Sequence, residues 1–206
     1  KAIGEDYTLA LAAMLVLRHQ KGAVVTNLST SLVVEDAVSR GGARLTRAPV
    51  GEINVAVRMR ELQAVIGGEG NGGVILSEVH LGRDAPVGIA LILQLLAETG
   101  KSLSALVDEL PRYAIVKDKL DRPKASLDTV YLALREAFPD AAVDTQDGLR
   151  LAWEDRWLHV RPSGTEPIVR VIAEAPTEND ARGLVQRARE PLEKLGTPTR
   201  VGAGAG

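Results

Sequence analysis

The sequence predicts an α/β domain built on a mixed sheet, followed by a smaller α+β domain whose antiparallel sheet is covered by helices on one face. In the first part of the chain, short runs rich in β-branched residues alternate with helical stretches, which is typical of layered α/β domains. In the second part, apolar and polar side chains alternate with a period of two, which indicates antiparallel strands with one face in water.

A charged, proline-containing stretch separates the two patterns and predicts a domain junction. We place the first domain at residues 1–110 and the second at 124–206. Residues 111–123 are expected to form a linker that acts as a hinge, with the first strand of the second domain starting near residue 113.

The composition excludes several classes of function. The 206 residues carry 25 Lys and Arg against 27 Asp and Glu, so a formal charge of -2 gives no global field that would attract nucleic acid or an anionic membrane. The absence of cysteine excludes disulfides, thiolate metal sites and a cysteine nucleophile. The longest apolar run, Leu9–Leu17, has nine residues where a membrane helix needs about 20. We expect no nucleic-acid or membrane partner and, by default, a cytoplasmic location.

Capping residues and apolar runs place the elements of the first domain. The run Leu9–Leu17 predicts a buried helix, and Ser31, Asp84 and Ser102 each supply an N-cap oxygen for a later one. The other predicted helices span residues 31–38, 52–62, 87–99 and 102–110, and the predicted extended runs span residues 23–26, 43–46, 64–66 and 74–76.

The second domain is predicted to open with a strand at 113–116 and a helix at 126–138, which ends before Pro139. A final helix at 178–195 covers the apolar face of the sheet, and residues 202–206 form a frayed tail. The alternating strands between these helices have their apolar residues at Leu149, Leu151 and Trp153, at Leu158 and Val160, and at Val169, Val171 and Ala173.

The sharpest local feature is the stretch 161–167, Arg-Pro-Ser-Gly-Thr-Glu-Pro, between two predicted strands. Arg161 offers a planar pair of donors, and the hydroxyls of Ser163 and Thr165 add neutral hydrogen bonds. Gly164 lets successive backbone N–H groups turn toward one anion, and the two prolines stiffen the loop before it binds. These features favour a phosphate-binding loop. A plain hairpin turn of the same composition remains the alternative.

A second feature is the glycine cluster at 67–73. It formally matches the G-x-G-x-x-G pattern of a dinucleotide site, but that site needs a helix to start at about Val74, where the sequence looks extended. Glu69 would also repel a diphosphate. Because Glu69 accepts hydrogen bonds and Asn71 both accepts and donates, the loop suits neutral sugar hydroxyls. The nucleotide site and a flexible turn without a ligand remain open.

The remaining candidates are weaker. His80, Arg83 and Asp84 either line the same pocket as the glycine cluster or, for the last two, form an ion pair and a cap at the start of a helix. His159, on the strand before the phosphate loop, is expected to face solvent. The three histidines are scattered and no paired carboxylate motif accompanies them, so we expect no metal site in this chain.

Taken together and in this order, the two loops resemble those of the α-D-phosphohexomutase family, which includes phosphoglucomutase, phosphomannomutase and phosphoglucosamine mutase. The similarity is to the third and fourth domains of that family and extends along nearly the whole chain. The family's Gly-Glu-x-Ser-Gly-His loop corresponds to residues 68–73, where Glu69 is kept, Asn71 replaces the serine and Gly73 replaces the histidine. The family's Arg-x-Ser-Gly-Thr-Glu-Pro loop is intact at 161–167.

The resemblance implies roles for individual residues. It assigns Gly68, Glu69 and Asn71 to binding of the sugar, and it assigns no catalytic residue and no metal ligand to this chain. The residues that it assigns to the phosphate that is not being transferred are Arg161, Ser163, Gly164 and Thr165.

The resemblance also implies an activity for the full-length protein. Family members are isomerases that interconvert hexose 1-phosphate and hexose 6-phosphate through a phosphoserine, a bisphosphate intermediate and Mg²⁺. The sequence contains neither a Thr-Ala-Ser-His-Asn-Pro-like loop for the phosphoserine nor an Asp-Gly-Asp-Ala-Asp-Arg-like loop for the metal. We therefore expect a C-terminal half that is inactive without its missing N-terminal domains. A non-catalytic phosphosugar-binding module is the alternative, and glucose, mannose and glucosamine phosphates remain open as substrates.

Overall fold

The computed structural model describes residues 2–196 and divides them into two compact units, with the boundary between Tyr113 and Ala114. The frayed tail expected at 202–206 lies outside the described residues. Each unit has its own sheet and its own apolar core. The predicted fold class, a mixed-sheet α/β domain followed by a smaller α+β domain, is confirmed.

The first unit has a mixed sheet and helices on both of its faces. Its helices are α1 (Asp6–His19), α2 (Leu32–Arg40), α3 (Glu52–Leu62), α4 (Ala85–Thr99) and α5 (Leu103–Asp108). Its strands are β1 (Val24–Asn27), β2 (Leu45–Ala48), β3 (Ile66–Gly68) and β4 (Val74–Leu76).

The first sheet has the strand order β2-β1-β3-β4, in which β1 is parallel to β2 and β3 while β4 is antiparallel to β3. Neighbouring residues of β1 face opposite layers, as a pleated strand requires. Val24 joins the apolar cluster formed with α1, α2 and α4, and Val25 joins the cluster formed with Met59 of α3. The sheet is therefore buried on both sides.

Helix α1 lies at the centre of the larger cluster, and its side chains from Leu9 to Ala13 are fully buried. Alanines at three positions of that run leave room for neighbouring helices to approach closely. The cap oxygens predicted for later helices are in place: Ser31 Oγ accepts from the Val33 amide at 3.1 Å, and Asp84 Oδ1 accepts from the Val87 amide at 2.9 Å.

Strands β2 and β3 begin two residues later than the sequence predicts. In β3 the shift has a clear cause, because the strand continues into Gly67 and Gly68, which the sequence suggested as loop. A Cβ on Gly67 would lie 2.5 Å from Met59 Sδ and 2.6 Å from the Val25 carbonyl oxygen. Glycine allows α3 and β1 to approach the strand at this point.

The second unit is an antiparallel sheet with two helices packed on one face. Its helices are α6 (Leu127–Ala137) and α7 (Glu178–Gly196). Its strands are β5 (Ala114–Asp121), β6 (Ala142–Asp144), β7 (Leu149–Ala152), β8 (Trp157–Pro162) and β9 (Ile168–Ala175), in the order β5-β9-β8-β7-β6.

The apolar face of this sheet forms the core that the alternation predicted. Leu158 and Val160 of β8 pack with Val169 and Val171 of β9 and with side chains of α6 and α7. The edge strand β6 was not predicted, because it has three residues and little apolar character. Ser126 caps α6 as expected, accepting from the Thr129 amide at 3.2 Å.

The linker expected at 111–123 takes a different form. Strand β5 occupies residues 114–121 and pairs with β9 along its whole length. Lys117, Lys119 and Asp121 lie on its exposed side, whereas Val116 and Leu120 pack against the core. Asp118 lies on the same side as these two apolar residues and accepts from Arg189 of α7 at 2.8 Å. The charges therefore belong to a paired strand and not to a separate segment.

The opposite face of the sheet is less exposed to solvent than the alternation predicts. The expectation that His159 faces solvent is wrong, since this side chain is fully buried. Trp157 and Glu174 are buried on the same face, where Trp157 Nε1 donates to Glu174 Oε2 at 2.5 Å. Periodicity identifies the face of a strand on which a residue lies, but it does not tell whether that face is covered.

The close contact at Gly67 can be tested by adding a single methyl group. We expect Gly67→Ala to lower the free energy of unfolding by about 1–3 kcal/mol, because Met59 and the β1 backbone must move. Gly183→Ala is the control, because Gly183 lies in helix α7 with no atom within 4 Å of the added Cβ; it should raise stability by about 1 kcal/mol or less. Urea unfolding of the wild type and both variants checks this. A midpoint for Gly67→Ala equal to that of the wild type would show that the packing at Gly67 is loose.

Candidate substrate-binding site

The polar residues of the first unit gather where its parallel strands end. Strands β1 and β3 run in the same direction, so Asn27 at the end of β1 and Glu69 just after β3 emerge at one edge of the sheet. The segment after β2, which includes Gly51, emerges at the same edge. The carboxyl ends of parallel strands are the usual place for a ligand site in α/β folds.

Glu69 is the residue that ties these segments together. Its side chain is buried, and Oε1 accepts from Asn27 Nδ2 at 2.9 Å and from the Gly51 amide at 3.1 Å. Its other oxygen, Oε2, lies 3.6 Å from Nη1 of Arg83. Glu69 thus has a structural role through Oε1, and Oε2 is the atom with an acceptor site to offer to a ligand.

The glycine loop 69–73 is seated on the turn between β1 and α2. Thr26 donates to the Gly68 carbonyl at 2.9 Å, and the Gly70 amide donates to Thr30 Oγ1 at 3.0 Å. A Cβ on Gly70 would lie 2.4 Å from Asp6 Oδ1. Gly70 is therefore closely packed, and these hydrogen bonds hold the loop against its neighbours.

The loop closes on itself as a tight hairpin between β3 and β4. The Glu69 amide donates to the Gly73 carbonyl at 3.0 Å, and a Cβ on Gly68 would come within 2.0 Å of that same oxygen. Asn71, at the exposed tip, accepts from the Gly73 amide at 3.2 Å. Val74 begins strand β4, which overturns the dinucleotide-binding alternative because no helix starts there to face a pyrophosphate.

Arg83 and Asp84 have separate partners. Glu52 accepts from both the backbone N–H and the Nε of Arg83 at 2.8 Å each, and these bonds lower the pKa of Glu52. Asp84 caps α4, and His80 Nε2 lies 3.0 Å from its other oxygen; the cap bond first and His80 second lower the pKa of Asp84. The expected pair between Arg83 and Asp84 is replaced by the pair with Glu52.

In the second unit, the predicted phosphate loop is the connection between β8 and β9. The Ser163 amide donates to the Ile168 carbonyl at 2.9 Å and closes the hairpin. Ser163 Oγ accepts from the amides of Thr165 and Glu166 at 3.4 and 3.3 Å and lies 3.5 Å from Thr165 Oγ1. The two hydroxyls and two amides therefore converge on one side of the turn.

Gly164 sits at the exposed tip of this loop and no atom lies within 4 Å of a Cβ built on it. Its φ is not among the positive values, so the loop reaches this conformation without needing the glycine. The amides that the sequence suggested would turn toward an anion are directed at the Ser163 hydroxyl.

Arg161 is the first residue of the loop 161–167 and lies in β8, next to the turn before β7 that contains Asp147. Its Nε lies 3.2 Å from Asp147 Oδ2, yet the N–H direction does not meet hydrogen-bond geometry, and this buried Nε has no hydrogen-bond partner among the described residues. Gly148, with φ of +77°, lets the turn approach, since a Cβ there would lie 2.8 Å from Arg161 Cβ. Arg161 is attracted to Asp147 by charge but not fixed by a directional bond.

His159 lies two residues before Arg161 and donates from Nε2 to the Asp147 carbonyl at 2.6 Å. Burial lowers its pKa from 6.5 to about 4, and the charges of Arg161 and Arg150 act in the same direction. The hydrogen bond and the carboxylate of Asp147 oppose this shift. His159 is therefore neutral at neutral pH and positions the Asp147 turn beside Arg161.

Within residues 2–196, no three side chains of His, Asp or Glu are grouped so that they could hold a metal ion. No helix in the described part of the chain is long and apolar enough to cross a membrane.

The two units match two consecutive family models. Residues 4–113 match the model described as phosphoglucomutase/phosphomannomutase, alpha/beta/alpha domain III, and residues 114–190 match the model described as the phosphoglucomutase/phosphomannomutase C-terminal domain. The chain belongs to this family. The boundary between the two matches coincides with the boundary between the two compact units.

Curated relatives in the family are phosphomutases. A phosphoglucomutase/phosphomannomutase of Thermococcus kodakarensis is 39% identical over 194 residues, which cover 92% of this chain and 42% of that protein. A probable phosphoglucosamine mutase of Methanopyrus kandleri is 39% identical over 189 residues, covering 89% of this chain and 41% of that protein. The chain thus spans less than half the length of these relatives.

A solved structure shares the fold. The N-acetylphosphoglucosamine mutase of Aspergillus fumigatus, in complex with GlcNAc-6P and magnesium, superposes with a TM-score of 0.70 at 14% identity and covers 96% of this chain and 45% of its own. This similarity concerns the fold of both family domains.

Several site residues were missed or given low weight from the sequence. Asn27 and Gly51 bind Glu69, and Asp147 faces Arg161, but they are far from their partners in sequence. The signal that could have found Asn27 and Gly51 is their position in the chain: Asn27 directly follows the predicted extended run 23–26, and Gly51 directly precedes the helix predicted at 52–62. Nothing in the sequence indicates Asp147, because the short strand β6 that precedes its turn was not recognised.

The depressed pKa of His159 predicts a specific acid sensitivity. The unfolded chain takes up a proton on this histidine below about pH 6.5, whereas the folded chain does so only near pH 4. Stability contributed by neutral His159 is present above pH 6.5 and is lost as the pH falls toward 4, by up to about 3 kcal/mol. We expect His159→Gln, which keeps a donor for the Asp147 carbonyl, to remove this part of the loss. Urea unfolding at several pH values checks it, and an equal acid loss in both proteins would contradict it.

Proposed function

We propose that the intact protein containing this chain is a phosphohexomutase, which interconverts hexose 1-phosphate and hexose 6-phosphate through a phosphoserine and a bisphosphate intermediate. This chain binds the sugar hydroxyls and the phosphate that is not being transferred, and it is inactive alone. Membership of the phosphoglucomutase/phosphomannomutase family and the phosphomutase names of its relatives support this proposal.

The observation that carries the proposal is the loop 161–167. The end of β8 carries the guanidinium of Arg161, and the short connection to β9 that follows carries two hydroxyls, together with two backbone amides that converge on Ser163 Oγ. Arg161 is drawn toward Asp147 but its Nε has no hydrogen bond within the described chain, so its guanidinium can turn toward a dianion at little cost. We assign Arg161, Ser163, Gly164 and Thr165 to the phosphate.

The sugar is assigned to the glycine loop of the first unit. Glu69 is fixed through Oε1 and keeps Oε2 as an acceptor, while Asn71 at the loop tip accepts through Oδ1 and keeps Nδ2 as a donor. Gly68 permits the tight hairpin that holds both in place. The three residues together match the donor and acceptor character of sugar hydroxyls.

In the proposed reaction, this chain positions the sugar ring and the phosphate that is not being transferred. The bisphosphate must present each of its two phosphates in turn to the phosphoserine, so the anchor must accept either one. A loop that recognises the charge and tetrahedral oxygens of a phosphate suits this task, because it makes no demand on the carbon to which the phosphate is attached. Holding the far phosphate and the ring orients the phosphate that reacts.

The phosphoserine and the magnesium ligands belong to motifs that this sequence does not contain. Magnesium would neutralise charge on the transferred phosphoryl group when bound, but no residue described in this chain is assigned to it. The complex of the Aspergillus relative with GlcNAc-6P and magnesium supports hexose phosphates as the ligand class and magnesium as the ion.

The phosphate assignment predicts a large kinetic effect in the intact protein. Arg161→Ala removes a charge-assisted contact worth about 1.5–3 kcal/mol, so kcat/KM for the hexose phosphate should fall about 10- to 150-fold. The matched control is Arg182→Ala, which removes an exposed arginine paired with Glu178 on α7. Steady-state kinetics with glucose, mannose and glucosamine phosphates check this. If the wild type converts none of these sugar phosphates, the non-catalytic binding module is favoured. If Arg161→Ala and the wild type have equal kinetics, the assignment of Arg161 to the phosphate is refuted.

The sugar assignment predicts a selective loss of affinity. Glu69→Gln keeps the side-chain volume and an oxygen for Asn27 but removes the carboxylate charge. We expect hexose phosphates to bind more weakly to this variant, so that their inhibition constants rise. The inhibition constant of inorganic phosphate should stay almost the same as in the wild type. If inhibition by inorganic phosphate weakens to the same extent, the assignment of the sugar to the glycine loop and of the phosphate to the loop 161–167 is wrong.

A further inference from the structure

Arg83 is held in an unusual way for a partly exposed arginine. Its backbone N–H and its Nε both donate to Glu52, each at 2.8 Å, which fixes the side chain at its near end. At its far end, neither Nη atom donates a hydrogen bond to any of the residues described in this structure, and Nη1 lies 3.6 Å from Glu69 Oε2. The side chain is 42% exposed. The clamp leaves four N–H donors on the two Nη atoms for a ligand.

The path of this side chain depends on the glycine at position 73. A Cβ built on Gly73 would lie 2.3 Å from Arg83 Cδ and 3.0 Å from its Cγ. The side chain of Arg83 therefore runs through the space that any other residue at position 73 would fill. This contact is with the middle of the arginine and not its flexible end, so a side chain at 73 would displace the guanidinium.

The guanidinium lies in a cleft of about 370 Å³ beside the glycine loop. The cleft is lined by Asn71, Gly72 and Gly73 of the loop, together with Glu52 and Arg83. The Asn71 amide has its Oδ1 engaged by the Gly73 amide, and its Nδ2 makes no hydrogen bond to a described residue. Arg83 and Asn71, which both offer N–H donors, thus line one cleft, and the acceptor Glu69 Oε2 lies 3.6 Å from Nη1 of Arg83.

We propose that Arg83 is a further sugar-binding residue, which donates from its Nη atoms to a ring hydroxyl whose own proton is accepted by Glu69 Oε2. The inference rests on the proposed function and names a residue for the sugar end of that site. Arginine suits the role because its planar fork binds Glu52 through Nε and a ligand through Nη at the same time, which a lysine cannot do.

A purely structural ion pair between Arg83 and Glu52 accounts for less of the geometry. Exposed ion pairs contribute about 0–1 kcal/mol and do not require a glycine under the arginine. Arg58 provides a comparison in the same unit: its side chain is 39% exposed and pairs with Glu61 at 3.1 Å on α3. The two arginines match in exposure and in having a carboxylate partner, but Arg58 is not in the cleft.

The test is calorimetric binding to the intact protein, with inorganic phosphate and with the 6-phosphates of glucose, mannose and glucosamine as separate probes. We expect Arg83→Ala to weaken the best-bound sugar phosphate about tenfold or more while the affinity for inorganic phosphate stays within about twofold. Arg83→Lys should not restore sugar binding. Arg58→Ala should leave both affinities unchanged.

A second variant separates a binding role from a folding role. Gly73→Ala should weaken sugar phosphate as much as Arg83→Ala does, because it displaces the guanidinium, and it should cause no further loss when added to Arg83→Ala. Thermal unfolding of each variant shows whether it is folded. Additive losses would show that residue 73 acts independently of Arg83.

The outcomes are distinguishable from failure of the proposed function. If Arg83→Ala binds every sugar phosphate as tightly as wild type, or loses inorganic phosphate equally, the inference is overturned while mutase activity can still stand. If wild type binds inorganic phosphate but none of the sugar phosphates, the inference is also overturned. If wild type binds a sugar phosphate in an Arg83-dependent way but converts none, the sugar site stands and the mutase function fails.

Discussion

The buried carboxylate of Glu69 is the interaction on which the candidate site of the first unit depends. By accepting from the Asn27 side chain and from the Gly51 backbone, one oxygen joins the segments that follow β1 and β2 to the hairpin that follows β3. A buried carboxylate is tolerated only when it is well hydrogen-bonded, so this arrangement fixes all three segments at once. The hairpin that carries Asn71 is thereby held to the ends of β1 and β2.

The second unit solves a different problem with similar means. The proposed phosphate loop would have to attract an anion without fixing the guanidinium of Arg161 so firmly that the anion cannot compete with Asp147. Asp147 lies close to Arg161 but without a directional hydrogen bond, and it is itself positioned through its carbonyl by the neutral, buried His159. Burial keeps the pKa of His159 low, so this histidine is neutral at neutral pH and adds no second positive charge beside Asp147.

Much of the fold could be predicted from the sequence, because caps and periodicity are local signals. Ser31, Asp84 and Ser126 cap helices where expected, and the alternation in β8 and β9 identified the core face. Prediction failed where the deciding contact is distant in sequence. The burial of His159, the partnership of Arg83 with Glu52 and the pairing of the charged strand β5 all depend on residues that only the folded chain brings close. In the site, the loop residues were predictable as motifs, whereas the engagement of Glu69 Oε1 was not.

The central proposal is that the glycine loop of the first unit binds the sugar of a hexose phosphate and that the loop 161–167 of the second unit binds a phosphate. The most direct measurement is a crystal structure of the intact protein with glucose 1,6-bisphosphate. We expect a phosphate within hydrogen-bond distance of Arg161 and Ser163, and ring hydroxyls within hydrogen-bond distance of Glu69. A bound bisphosphate that contacts only one of these loops, or neither, would contradict it.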